Sequence, residues 1–192
     1  QGADKPMLTV DESRIVEAWC IAHPADPGAV VTLGYLYLGS RASELVRRDV
    51  RDLDDNGRLL WIRRAKTRAG SRHLLVPDAL AEMLLDMAGD RAGDAPLFMR
   101  DGGIRWTRMV AYRHVRRVCA AAEVPVLGPQ ALRRTQSTIA TEAGETALAV
   151  ARHLGQSTGE APAVTHRSYV GRNAASAARG ERALRVIQGG RR

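Results

Sequence analysis

Three segments near the C-terminus combine residue types that can act on an anionic ester. They read Gln130-Ala131-Leu132-Arg133-Arg134-Thr135, then His153-Leu154-Gly155-Gln156, then Thr165-His166-Arg167-Ser168-Tyr169-Val170. A guanidinium keeps its charge at neutral pH and presents a fork of N–H donors that matches phosphate oxygens. A tyrosine hydroxyl has a pKa of about 10, so it becomes a nucleophile only beside cations or a base. An arginine at a helix start, a Leu-Gly turn and a late tyrosine are therefore the most informative features of the chain.

Two upstream segments carry basic side chains. The first reads Leu38-Gly39-Ser40-Arg41-Ala42-Ser43-Glu44-Leu45, and the second, Lys66-Thr67-Arg68, lies in a predicted loop between two strands. Taken alone, Arg41 is typical of a surface arginine that pairs with Glu44 at a helix start, and Lys66 is typical of a solvated lysine. Their interpretation depends on their order relative to the three later segments.

In this order, the five segments resemble the C-terminal catalytic half of the tyrosine recombinase (phage integrase) family over roughly residues 33–170. Members of that family cut and rejoin DNA through a tyrosine. The resemblance implies that Tyr169 is the nucleophile and that Arg41 and Arg133 clamp the scissile phosphate. It also implies that Lys66 protonates the leaving 5′ oxygen. The implied 3′-phosphotyrosyl link stores the bond energy, so the reaction is expected to use no cofactor, ATP or metal.

The chain departs from the family pattern at two positions. Gln130 and Gln156 stand where the family usually has histidine, and the interval from Gln156 to Tyr169 is a few residues longer than usual. Glutamine does not carry protons near pH 7, and loss of a general acid or base typically costs about 10²–10⁴ in rate. Two interpretations therefore stay open: a recombinase with altered proton transfer, and a degenerate relative that binds DNA without cutting it. His166 is either a local base, because it lies three residues before Tyr169, or an ordinary polar residue.

Charge supports a polyanionic partner, with nucleic acid as the first candidate, and the resemblance implies double-stranded DNA. The chain has 29 Lys and Arg against 21 Asp and Glu, a net charge of +8 and a pI near 10.4, and such a balance favours nucleic-acid binding. The alternatives are the arginine-rich composition of a high-GC genome and an unrelated basic helical adaptor. The resemblance and the charge predict DNA contacts at four arginines: Arg68, Arg113, Arg116 and Arg134. Arg113 and Arg116 either track phosphates or form the solvated face of their helix.

Cysteine usage and hydropathy indicate a cytoplasmic protein, expected to be bacterial and nucleoid-associated. Cys20 and Cys119 lie in apolar helical patterns and are interpreted as reduced core residues. No apolar run has transmembrane length, so no membrane association is expected. The acidic residues Asp52, Asp54 and Asp55 are interpreted as strand-end and turn residues rather than as metal ligands.

The periodicity predicts a mainly helical α+β fold with one small three-stranded antiparallel sheet. Helices are predicted from Asp11 with Ile15, Val16, Trp19 and Cys20 on one face, and over 29–38, 41–48, 78–87, 106–122, 130–143 and 145–154. Strands are predicted over 50–53, 59–62 and 73–76, the first two joined by an Asn-Gly turn.

The predicted organisation has three parts. Residues 1–10 are a linker or boundary segment, 11–173 form a DNA-binding catalytic domain, and 174–192 form a C-terminal helix and tail. The resemblance implies a homotetramer on DNA that exchanges this helix between protomers, while the isolated protein is expected to be a monomer.

Overall fold

The computed structural model describes residues 6–63, 71–156 and 187. Across this part of the chain the fold is mainly helical, with a three-stranded antiparallel sheet and a separate two-stranded ribbon. The helices are α1 (Val10–Ala22), α2 (Pro27–Leu38), α3 (Ala42–Val46), α4 (Asp78–Ala88), α5 (Arg108–Ala121), α6 (Pro129–Glu142) and α7 (Ala147–His153). The strands are β1 (Leu53–Asp54), β2 (Leu59–Ile62), β3 (Arg72–Leu75), β4 (Met99–Arg100) and β5 (Ile104–Arg105).

The second helix, α2, is the centre of the domain. Every residue from Gly28 to Leu38 is buried, because the segment contains no charged side chain that would require water. Asp26 caps its first turn by accepting the Gly28 N–H at 2.7 Å, and Gly39 ends it with a φ of 57°. Helices α1, α4, α5 and α6 pack around it. The predicted buried helix is confirmed, and its C-terminal end lies beside the candidate site.

The three-stranded sheet has the order β1-β2-β3 with antiparallel pairing. The predicted turn is confirmed, since Asp55, Asn56 and Gly57 all have positive φ. The first predicted strand is wrong over most of its length, because Val50–Asp52 form a 3-10 turn. The Asp52 carboxylate accepts the Asp49 N–H at 3.0 Å, and this local bond turns the chain before β1 begins.

A two-stranded ribbon, β4-β5, was not predicted. Its strands have two residues each, which is too short for an alternating pattern. Gly102 and Gly103 allow the reversal with φ of 78° and 76°. Arg105 on β5 fixes the ribbon to the rest of the domain by donating to the Arg48 carbonyl at 2.9 Å and to Asp49 at 2.6 Å.

The first and last predicted helices can be compared with the structure at the two ends of the described residues. Thr9 and Glu12 form a capping box that begins α1. Of the apolar residues predicted to share one face of this helix, Val16 and Cys20 are buried, whereas Ile15 is 50% exposed. The predicted C-terminal helix lies outside the described residues except for Ile187, which is buried. Among the described residues, no helix is long and apolar enough to cross a bilayer.

Candidate active site

Arg133 lies at the centre of the site and is 8% exposed on α6. Its Nη1 donates to the Gly39 carbonyl at 2.5 Å, and its Nη2 donates to the Leu154 carbonyl at 2.8 Å. These carbonyls lie at the C-terminal ends of α2 and α7, where the helix dipole places partial negative charge. Gly39 is two residues before Arg41, and Leu154 is two residues before Gln156. One guanidinium therefore joins three of the predicted catalytic segments.

Arg41 is the N-cap residue of α3, and its side chain is 42% exposed. Glu44 holds both ends of this residue: its carboxylate accepts the Arg41 N–H at 2.8 Å and Nη1 at 2.6 Å. The pairing expected from the spacing is therefore present. Burial alone would raise the pKa of Glu44. The hydrogen bond from the Arg41 N–H and the charge of Arg72 outweigh burial, so the pKa is lowered.

The Leu-Gly turn has a physical cause in the geometry that ends α7. The Gln156 N–H donates to the Ala151 carbonyl at 2.9 Å, and the Gly155 N–H donates to the Arg152 carbonyl at 3.0 Å. This is a Schellman motif, which places its left-handed residue where glycine is favoured, and Gly155 has a φ of 64°. Gln156, which follows the turn directly, is half-buried. The turn fixes the backbone from which Gln156 projects.

His153 is the imidazole nearest in sequence to this turn, and it serves the packing of two helices. Its Nε2 lies 3.0 Å from the Leu38 carbonyl. Because a carbonyl only accepts, Nε2 carries the proton. Burial and then the charges of Arg72 and Arg133 lower the pKa of His153 to about 4. The ring is therefore neutral near pH 7 and connects α7 to the end of α2.

Gln130 lies in the first turn of α6 and is exposed. It precedes Arg133 by three residues, and residues at this spacing are neighbours on a helix surface. Pro129 starts the helix and Gly128 is its N-cap, with no side-chain cap bond. The structure therefore places Gln130 at the solvent end of the helix that carries Arg133.

Arg72 is a residue of the site that the sequence interpretation missed. It is the first residue of β3, with a side chain that is 9% exposed. Its Nε donates to the His153 carbonyl at 2.6 Å, and its Nη2 lies 3.2 Å from Glu44 Oε2. The available signal was an arginine directly before a predicted strand, after the predicted loop that contains Lys66.

Two of the predicted DNA-contacting arginines lie on α5 and one lies on α6. Arg113 and Arg116 are exposed; Arg116 donates to the Val126 carbonyl at 3.2 Å. Its guanidinium also lies 5.6 Å from the centroid of the Tyr112 ring. That ring packs so closely against Gly128 that a side chain there would clash with it. Arg116 therefore borders the N-terminal end of α6.

Arg134 has a different environment from the α5 arginines. It is half-buried, and its Nη1 donates to the Pro6 carbonyl at 2.7 Å. The neighbouring Thr135 accepts the Leu8 N–H at 3.0 Å, and Leu8 is 2% exposed. Both contacts attach the segment before α1 to α6.

Several predicted site residues lie outside the described residues, namely Lys66, Arg68, His166 and Tyr169. Within the described ranges, no three His, Cys, Asp or Glu side chains form a group that could hold a metal ion. The Asp52 carboxylate forms ion pairs instead: its Oδ2 lies 3.3 Å from Arg48 Nη1, and its Oδ1 lies 2.9 Å from Arg63 Nε.

The sequence matches the family model described as the phage integrase family over residues 11–167. The chain belongs to the phage integrase family. No curated protein matches it. Solved recombinase structures share its fold, and this chain spans about half to two thirds of their length.

Three of these structures illustrate the likeness. XerA recombinase gives a TM-score of 0.70 at 18% identity, with 98% of this chain and 64% of that chain covered. The Tn1549 transposon integrase in complex with transposon right end DNA gives 0.67 at 21% identity, with coverage of 90% and 65%. The integrase from mycobacterium phage Brujita gives 0.66 at 18% identity, with coverage of 97% and 59%. The fold is that of tyrosine recombinase catalytic domains.

Proposed function

We propose that this domain cuts and rejoins double-stranded DNA during site-specific recombination, through a 3′-phosphotyrosyl intermediate on Tyr169. The observation that carries the proposal is the pair of bonds from Arg133 to the Gly39 and Leu154 carbonyls. These bonds hold the Arg41 segment and the Gln156 turn around one buried cation. Membership of the phage integrase family supports the reaction class, as does a similar fold in XerH recombinase bound to its difH substrate.

The chemistry assigns one role to each group. Arg41 and Arg133 bind the non-bridging oxygens of the scissile phosphate, where negative charge develops during attack. The Tyr169 hydroxyl gives its proton to water beside the two guanidinium groups, and its oxygen forms a bond to phosphorus while the bond from phosphorus to the 5′ oxygen breaks. Lys66 gives that oxygen its proton. Rejoining reverses these steps, since a 5′ hydroxyl attacks the phosphotyrosine and releases the tyrosine. Gln130 and Gln156 supply hydrogen bonds without proton transfer.

The proposal extends to the DNA surface and the assembly. Arg68, Arg113, Arg116 and Arg134 contact phosphates of the duplex. The active assembly is a homotetramer on DNA that exchanges residues 174–187 between protomers, and the free protein is a monomer. The protein acts in the bacterial cytoplasm, on nucleoid DNA.

A second candidate is a degenerate relative that binds DNA without cutting it. The environment of the two glutamines and of His153 favours it. Gln130 is exposed, and His153, directly before the Leu-Gly turn, is neutral near pH 7 and bonded to the Leu38 carbonyl. Neither glutamine nor this histidine replaces the proton transfer that a histidine at position 130 or 156 would provide.

A nicked suicide substrate distinguishes the two candidates. The enzyme candidate predicts a covalent protein–DNA product from the wild-type protein and none from Tyr169→Phe. The degenerate candidate predicts salt-sensitive binding without product. Gln130→His and Gln156→His refine this result, because restoring a general acid or base is worth about 10²–10⁴ in rate. Product that appears only in these variants would reject the proposed activity of the wild-type chain.

The DNA surface is tested separately by salt titration. Neutralising one phosphate contributes about −0.9 to the slope of log K against log salt, so Arg116→Gln should reduce the magnitude of the slope by about one. Arg14→Gln is the matched control, since Arg14 is also a partly exposed helical arginine, paired with Asp11 on α1. Equal slopes for wild type, Arg116→Gln and Arg14→Gln would show that Arg116 does not contact a DNA phosphate.

A further inference from the structure

We propose that Arg72 is a positioning residue for DNA cleavage. Its side chain holds the Glu44 carboxylate against Arg41, and it also holds the C-terminal end of α7, which leads into Gln156. This inference rests on the proposed function, because it assigns Arg72 to the geometry of the same site. The Arg72 side chain is only 9% exposed, and it acts through Glu44 and the His153 carbonyl rather than on the DNA.

The first link runs from Arg72 to Arg41 through one carboxylate. Arg72 Nη2 lies 3.2 Å from Glu44 Oε2, and both side chains are 9% exposed. The same Oε2 accepts the Arg41 N–H at 2.8 Å, while Oε1 accepts Arg41 Nη1 at 2.6 Å. Glu44 is therefore held between a buried cation and a partly exposed cation. Removing the buried cation frees the carboxylate to move, and the Arg41 fork moves with it.

The second link runs from Arg72 to the Leu-Gly turn. Arg72 Nε donates to the His153 carbonyl at 2.6 Å, and Arg133 Nη2 donates to the next carbonyl, of Leu154, at 2.8 Å. Two cations therefore bind consecutive carbonyls at the negative end of α7. Gln156 follows two residues later, so its position depends on both arginines.

The third link is the place of Arg72 in the β2-β3 hairpin. Ile62 of β2 pairs with Arg72 of β3, and Lys66 lies between these two residues in the sequence. Arg72 therefore attaches the start of β3 to α3 through Glu44 and to α7 through the His153 carbonyl. A planar guanidinium can donate from Nε and Nη2 in two fixed directions, which a lysine ammonium cannot reproduce.

The test measures single-turnover covalent attachment to a saturating nicked suicide substrate, together with the DNA dissociation constant. Arg72→Lys and Arg72→Gln should each lower the attachment rate by on the order of 10²-fold, the effect expected of about 1 Å of misplacement. The DNA dissociation constant should stay within about threefold, because the Arg72 side chain is only 9% exposed and its guanidinium is bound to Glu44 and the His153 carbonyl. Arg58→Gln is the control, since Arg58 lies in the turn directly before β2 of the same sheet and pairs with Asp78 at an exposed position, and it should leave the rate unchanged.

A double-mutant cycle separates positioning from general loss of stability. In a Glu44→Gln background, Arg72→Gln should cost less than in the wild type, because the shared carboxylate link is already broken and only the bond to the His153 carbonyl is left to lose. Additive effects would overturn the proposal, as would an unchanged rate in Arg72→Gln or an equal loss in Arg58→Gln. All rates are compared well below each variant's melting temperature, and Arg72→Lys gives the decisive rate if Arg72→Gln fails to fold.

Failure of the proposed function gives a different result. Wild-type protein that forms no covalent product would reject cleavage, and amide hydrogen exchange would then test the positioning alone. Arg72→Gln should speed exchange at the Gln156 amide more than Arg58→Gln does. Equal exchange in the two variants would overturn the role of Arg72.

Discussion

Lowering the pH from about 7 to about 5 should destabilise the domain through His153. Burial, with the charges of Arg72 and Arg133 next, lowers the pKa of this ring from 6.5 to about 4. At a pH between these two values, His153 is therefore protonated in the unfolded chain and neutral in the folded chain. Stability rises with pH through this window and is lost as the pH falls from 6.5 towards 4.

The magnitude follows from the same two values. One unit of pKa difference corresponds to about 1.36 kcal/mol, so the complete shift is worth about 3 kcal/mol. Integrating from pH 7 to pH 5 gives a loss of about 2 kcal/mol from His153. The lowered pKa values of Glu44 and Asp26 act with the same sign, but mainly below the range from pH 7 to pH 5. His114, whose pKa is lowered by burial and by Arg117, contributes within the window.

The assay is urea unfolding of wild type and His153→Gln at both pH values. Glutamine places an amide donor near the position of Nε2, so the bond to the Leu38 carbonyl is retained without a titrating group. The wild type should lose about 2 kcal/mol more than His153→Gln between pH 7 and pH 5. The contribution of His114 cancels in this comparison. Identical pH dependence in the two proteins would refute the assignment of a neutral His153 with a lowered pKa.

Three further predictions concern positions away from the reacting groups. Gly155→Ala should cost about 1–2 kcal/mol in urea unfolding, because an alanine is strained at a φ of 64°; an unchanged midpoint would contradict the Schellman geometry. Tyr37→Phe should cost about 1–3 kcal/mol, since its hydroxyl donates to the buried Glu17 carboxylate at 2.6 Å, whereas Tyr112→Phe, at an exposed ring, should be nearly neutral. Burial raises the pKa of both Cys20 and Cys119, so a thiol reagent should label them only after unfolding, and rapid labelling of the native protein would contradict their burial.

Much of the fold was predictable because its signals are local. An apolar segment without charges predicts the buried helix α2, and Asn56-Gly57 predicts the turn between β1 and β2. Gly155 likewise marks the end of α7, because only a residue that tolerates positive φ suits that position. The failures have equally local causes. Ile15 fits the helical pattern of α1 but is half exposed. The pattern shows which side of the helix is apolar, but not how far the buried surface extends around it.

The candidate site was predictable as a set of residues but not as an arrangement. The order of Arg41, Arg133, Gln156 and the later Tyr169 indicates the family from sequence alone. Which carbonyls Arg133 binds was not predictable, because its partner Gly39 lies 94 residues away. The role of Arg72 is also a product of packing, since the strand pattern does not reveal that His153 and Glu44 converge on it.

The sequence by itself therefore determined the chemical groups, the helical class and the family, because each depends on residue type and short-range spacing. The tertiary structure decided how those groups are held. It alone placed two arginines on consecutive carbonyls of α7 and made His153 a neutral bridge to α2. The physical reason is that buried cations require specific acceptors, and here the packed ends of helices distant in sequence provide them.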